Sequence, residues 1–265
     1  MIWLIRRLTD DVPNWEPSAK LAFALALILL VVTLIVLLVG PAELRQPALY
    51  GFIGLVIVTQ GIVLWGSRGM TTPLTQAQRR YLDGDFVGAR ALLEPLVGQP
   101  KTDARALTLL GNTYRQLGLL AESRTVLSEA LDKAPNHHFP RYGIGRTLLS
   151  EGDYAEAVDA IQQALDLGAP EPVRADLGEA LYYAGQFDQA RAALLSVQPM
   201  LTEPHRRLMT EHLLARLGAG DAPQPELVRA GLHYWSAAAE RFRHTPYGQA
   251  IEVELLELHT LLKES

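Results

Sequence analysis

The feature that most constrains this chain is a beat of about 34 residues. Four short turns recur along it: Gly84-Asp85-Phe86, Gly118-Leu119-Leu120, Gly152-Asp153-Tyr154 and Gly185-Gln186-Phe187, spaced by 34, 34 and 33 residues. Five residues after each glycine stands a small side chain (Ala89, Ser123, Ala157, Ala190), and nine after it a branched apolar one (Leu93, Leu127, Ile161, Leu194). Three of the turns have a second glycine seven residues upstream: Gly111, Gly145 and Gly178. A fixed period of this length marks a stack of supersecondary units, each burying its apolar face against its neighbours.

Each recurring position has a packing reason. The turn glycine ends one helix where the backbone must turn tightly, and the aromatic residue two positions on plugs the gap between paired helices. The upstream glycine and downstream small residue let the two helices of a unit cross closely. Pro135 closes a second helix before the next unit begins. The arrangement resembles the tetratricopeptide repeat (TPR), most plainly over 104–137, where Leu107, Leu110, Gly111, Tyr114, Gly118, Leu127, Ala130 and Pro135 fall on the family's pattern. The resemblance implies an all-α solenoid of four to five helix pairs over 75–245, with units near 70–103, 104–137, 138–170, 171–203 and a decayed 204–245. The first unit departs from the pattern, with Arg80 where an aromatic is usual and Pro95 inside its second helix. In the fifth, helices are expected near 204–217 and 225–242, and a last helix over 246–265 is expected to cap the stack, with Glu252, Glu254 and Glu257 on a polar outer face.

Ahead of the repeats the pattern changes. Residues 21–39 read LAFALALILLVVTLIVLLV without a charge, enough for a helix of roughly 28 Å. A second uncharged run covers 48–66, with Pro41 and Pro47 in the link between them. The pair predicts a transmembrane hairpin, since a cleaved signal peptide has a shorter apolar core and no second span. Residues 1–20 are expected to lie in the cytoplasm or at the interface, where MIWLIRRL would rest on the headgroups, and 67–74 to link the hairpin to the repeats. Arg6, Arg7 and Lys20 before the first span and Arg68, Arg79 and Arg80 after the second, against Arg45 alone in the turn, place both termini in the cytoplasm of a bacterial inner membrane. Gly51, Gly54 and Gly61 form a small-residue stripe for packing against Ala22, Ala24 and Ala26 or against another membrane protein, and Gln60 is expected to bond between helices.

Composition narrows the function. After Thr72 the chain carries 19 basic and 25 acidic side chains, which argues against a nucleic-acid binder. No cysteine is present, so a disulfide framework and a thiol nucleophile are excluded. The histidines include no HExxH pair, and there is no phosphate loop and no nucleophile elbow. His137-His138 reads as a loop or cap, and Gly143-Ile144-Gly145 falls inside a repeat helix. No enzyme, cofactor, metal site or small-molecule substrate is expected.

Partner binding is left to the first helices of the units, which line the concave surface of such solenoids. That surface collects Arg105, Asn112 and Arg115, then Tyr142 and Arg146, then Glu179, Tyr182 and Tyr183. Arginine and tyrosine are common binding hot spots, and an acidic or carboxylate-bearing protein segment is the expected guest. The Lys/Asn/Lys/Arg set by which some family members clamp chaperone tails is matched only at Asn112. Two readings stand: a membrane-anchored scaffold or adaptor binding a partner peptide or helix in the groove, or a structural or assembly subunit of a larger membrane complex held by its hairpin.

Overall fold

The computed structural model describes residues 17–67, 72–97 and 102–264. Among them are thirteen α-helices and no strand. The chain divides into two compact units, split between Thr72 and Pro73. The expected interfacial piece at the N-terminus and Arg68 lie outside the described residues.

The first unit is a helical hairpin, α1 (Pro17–Val39) and α2 (Ala42–Ser67). Both helices are long and apolar enough to cross a membrane. The link is tighter than the prolines suggested: α2 begins at Ala42, and Pro47 sits inside it. Gly40 closes α1 by donating to Val36 O at 2.9 Å. Most of the apolar surface faces outward, including Leu21, Ile28, Leu38, Ile57 and Leu64. Thr33 and Thr59 donate to the carbonyls of Leu29 and Leu55, so their hydroxyls are satisfied within their own helices.

The second unit stacks helix pairs: α3 (Pro73–Leu82) with α4 (Phe86–Val97), α5 (Ala104–Gln116) with α6 (Leu120–Lys133), α7 (His138–Glu151) with α8 (Tyr154–Asp166), α9 (Arg174–Tyr183) with α10 (Phe187–Val197), and α11 (Pro204–Arg216) with α12 (Pro225–Arg241). A final helix, α13, covers Pro246–Glu264. The turn glycines Gly84, Gly118, Gly152, Gly185 and Gly218 take φ between +66° and +95°, the left-handed backbone that ends each first helix. The upstream glycines are required by closeness instead: a Cβ on Gly145 would lie 2.6 Å from Ile161 Cγ1, and one on Gly178 2.5 Å from Leu194 Cδ2.

The fifth unit keeps this close crossing but reverses it. Gly231, on its second helix, meets Leu208 on its first, where a Cβ would lie 2.9 Å away. Asp103 caps α5 by accepting from Arg105 N, and His137 caps α7 by accepting from Phe139 N at 3.3 Å.

Helix α13 does more than close the end of the stack. Tyr247, Ile251, Leu255 and Leu258 are buried in one apolar cluster with Leu148 and Leu149 of α7, Leu181 of α9 and Leu213 of α11. The helix therefore packs on the first helices of the units. Gly152 adjoins Pro246, whose Cβ would be 2.8 Å from an added side chain.

Candidate inner-face binding site

The residues expected to form an open groove are brought together, but most are engaged within the chain. Asp176 of α9 is the hub: Tyr142 donates its hydroxyl to Oδ2 at 2.7 Å, Arg206 reaches the same oxygen at 3.2 Å, and Arg146 pairs with Oδ1. Arg206 also donates to Pro172 O at 2.9 Å. Glu179 lies 3.6 Å from Arg146 and accepts from Tyr247 of α13 at 2.7 Å. Arg115, Arg146, Asp176 and Glu179 are all buried.

Electrostatics divide the two acids. Burial pushes Asp176 upward, but Arg146, Arg206 and the Tyr142 hydroxyl outweigh it and hold the carboxyl below its usual range. Glu179 has weaker compensation, and burial raises it to about 7. Tyr142 is pushed up to about 12, first by burial and then by the charge of Asp176. The Asp176 carboxylate holds Arg206 well above its ordinary value despite partial burial.

The remaining expected residues separate into two groups. Tyr182 and Tyr183 are half-buried and pack with other rings: Tyr182 with Phe187 at 5.7 Å, Tyr183 with Tyr154 at 5.4 Å and Tyr247 at 5.9 Å. The expected open surface over these units is thus corrected: α13 covers it, because its apolar side chains complete the core there. Arg105 is exposed and Asn112 half-buried, and no side-chain hydrogen bond occupies either among the described residues. In the hairpin, a Cβ on Gly51 would lie 4.0 Å from Thr33 Cγ2 of α1, whereas one on Gly54 or Gly61 would have no neighbour within 4 Å. Gln60 is exposed and makes no bond between the two helices.

Sequence reasoning missed Arg206, Asp176, Tyr247 and the cluster joining α11 to α13. His212 Nε2 lies 2.7 Å from Glu254 Oε2, and Arg216 reaches Glu254 at 3.1 Å and Glu257 at 2.5 Å. Glu254, expected on a polar outer face, is buried here. His212, Glu254 and Glu257 have ligand atoms close enough to share a metal ion. Arg216 bonds both carboxylates and supplies the positive charge, so the cluster is complete as an ion-pair network. A small cavity beside Arg146, Glu179, His205, Arg206 and Tyr234 has room for ordered water.

The comparisons agree with this architecture. Tetratricopeptide repeat models match residues 102–168 and 148–206. Among solved structures, the crystal structure of a thermophilic TPR protein in Thermus thermophilus is similar at 17% identity, covering 71% of this chain and 98% of that one, with a TM-score of 0.52. A Thermobaculum terrenum O-GlcNAc transferase matches at 20% identity over 51% of this chain, with a TM-score of 0.46; this chain spans 28% of its length. No curated protein matches the sequence. The periodicity, the paired helices and the two family matches establish that this chain carries tetratricopeptide repeats.

Proposed function

We propose that this chain is a membrane-anchored protein–protein interaction scaffold whose guest segment binds the N-terminal half of the inner face, along α3 and α5. A tetratricopeptide solenoid supports protein binding in general. The observation that carries the finer reading is the division of that face. Over α7, α9 and α11, Arg146, Asp176, Glu179 and His212 are buried, with Tyr247 and Glu254 of α13 bonded to two of them, whereas Arg105 and Asn112 keep side chains open to a partner. The outward apolar faces of α1 and α2 support a bilayer anchor, and the basic residues flanking the apolar runs favour repeats and termini on the cytoplasmic side. Anchoring concentrates the binding face at the membrane, so a modest intrinsic affinity suffices for partners held there.

The second reading, an assembly subunit held through its hairpin, is favoured by one observation: Gly54 and Gly61 present bare backbone away from α1. Mild-detergent co-purification separates the two. Arg105→Glu/Asn112→Ala should remove the partner found with wild type, while Gly54→Leu/Gly61→Leu should leave it. The reverse pattern assigns assembly to the hairpin, and membrane fractionation with alkaline washing checks the anchor.

A further inference from the structure

The inner face holds more positive charge, buried or half-buried, than its acids take up. Four arginines, Arg115, Arg146, Arg206 and Arg241, act there with Asp176 and Glu179. Arg146 and Arg206 are bonded to Asp176, whose other oxygen contact is the Tyr142 hydroxyl. Asp176 feels the charge of Arg115, but both of its oxygens are already committed. Glu179 is taken by Arg146 and Tyr247.

Arg115 and Arg241 are left without a carboxylate partner among the described residues. Arg115 is 7% exposed, and its Nε is buried with no hydrogen-bond acceptor. Arg241, at the end of α12, donates to the neutral amide oxygen of Gln116 at 2.6 Å, the residue next to Arg115. Its guanidinium also lies 5.8 Å from the Phe86 ring centroid and 5.7 Å from that of Phe242. Burial lowers its pKa, and the positive charge of Arg115 acts in the same direction. A buried guanidinium without a counter-ion is costly, and a second one within its field adds to the cost.

We propose that Arg115 and Arg241 form a receptor for a carboxylate carried by the guest segment in the open half of the inner face. Guanidinium forks match a carboxylate with paired, charge-assisted donors, and Arg241, only half-buried, gives the pair an approach from solvent. Phe86 and Phe242 beside it favour an apolar residue next to the acid. The receptor is not a property of the repeats alone, because Arg241 comes from α12, beyond the region that the family models match. This inference rests on the scaffold reading above.

The test uses the detergent-solubilised full chain and a fluorescein-labelled hexapeptide with two glutamates, one phenylalanine and a free C-terminal carboxylate. Its neutral counterpart has glutamines and an amidated end. The expected result is saturable, salt-weakened anisotropy for the acidic probe, reduced about tenfold or more in Arg115→Met and in Arg241→Met. Both variants should melt at or above the wild-type temperature, since each removes a cation that lacks a counter-ion. Equal binding of the acidic and neutral probes overturns the receptor while leaving the scaffold reading standing. Failure of the acidic probe to bind wild type also overturns it, and the co-purification above then decides the scaffold reading separately. A lower melting temperature in both variants with unchanged probe affinity makes the pair structural, and displacement of the probe by equimolar inorganic phosphate assigns it to a free anion; either result overturns the proposal.

Discussion

Asn112, Arg146, Glu179 and His212 occupy one position in four successive units, 34, 33 and 33 residues apart, yet their surroundings differ along the stack. Asn112 is half-buried with no side-chain bond, whereas Arg146 and Glu179 are buried in the Asp176 network and His212 is locked to Glu254 of α13. The same helix face is therefore a potential binding surface at one end and interior at the other. The teaching is that a repeat position does not carry its exposure with it. Whatever the chain lays over the stack decides which positions remain available.

Deleting 246–265 should break the comparison most severely. Tyr247, Ile251, Leu255 and Leu258 would leave an apolar surface uncovered, at a cost of about 6–10 kcal/mol, comparable with the whole stability of a domain. The truncated chain should lose its cooperative thermal transition in circular dichroism and aggregate. A cooperative melt near the wild-type temperature would show that α13 is an accessory to the core.

A single truncation within α13, Ile251→Ala, should cost about 2–4 kcal/mol in denaturant unfolding. Gly145→Val should cost about 1–3 kcal/mol by forcing a side chain against Ile161, and so tests the close crossing within the third unit independently of α13.

Glu179 sharpens the contrast through pH. Its folded-state pKa, about 7, lies above its ordinary value near 4.5, so the folded state holds the proton more tightly than the unfolded one. Its favourable contribution is fully present below pH 4.5 and is lost as pH rises through 7. Glu179→Gln, which keeps an acceptor for Tyr247, should stabilise the protein at pH 8 by about 1–3 kcal/mol relative to wild type. The difference should shrink as pH falls toward 4.5, which denaturant titrations at both pH values would read. The smallest stability effects belong to the open end, where Arg105→Ala and Asn112→Ala should each change unfolding by less than about 0.5 kcal/mol while weakening guest binding.

Much of the fold was legible in the residues because its constraints are local and repeated. Glycine at a left-handed turn and glycine facing Leu127, Ile161 or Leu194 recur at fixed intervals, and a helix pair can satisfy them without reference to the rest of the chain. The fifth unit looked decayed because it reverses the arrangement, with Leu208 meeting Gly231. The site was less legible. Tyr142 and Glu179 stood out in the sequence, but their partners Arg206 and Tyr247 lie 64 and 68 residues further along the chain, and no local pattern fixes those pairings. The acids of α13 have helical spacing that suits a solvated face, yet Glu254 is buried because Leu255, Leu258 and Ile251 turn that side of the helix inward. In the hairpin, composition marked the two long apolar helices, while the face that α2 turns toward α1 followed from packing and left Gly54 and Gly61 outside.

The central claim is that α13 belongs to the interior of the repeat stack and leaves only the N-terminal half of the inner face available. Hydrogen–deuterium exchange on the full chain in lipid nanodiscs tests it most directly. The account predicts that amides of residues 250–258 are protected to the same degree as those of α7 and α9, with exchange governed by global unfolding. Exchange of residues 250–258 at the rate of a frayed chain end, with α7 and α9 still protected, would contradict it.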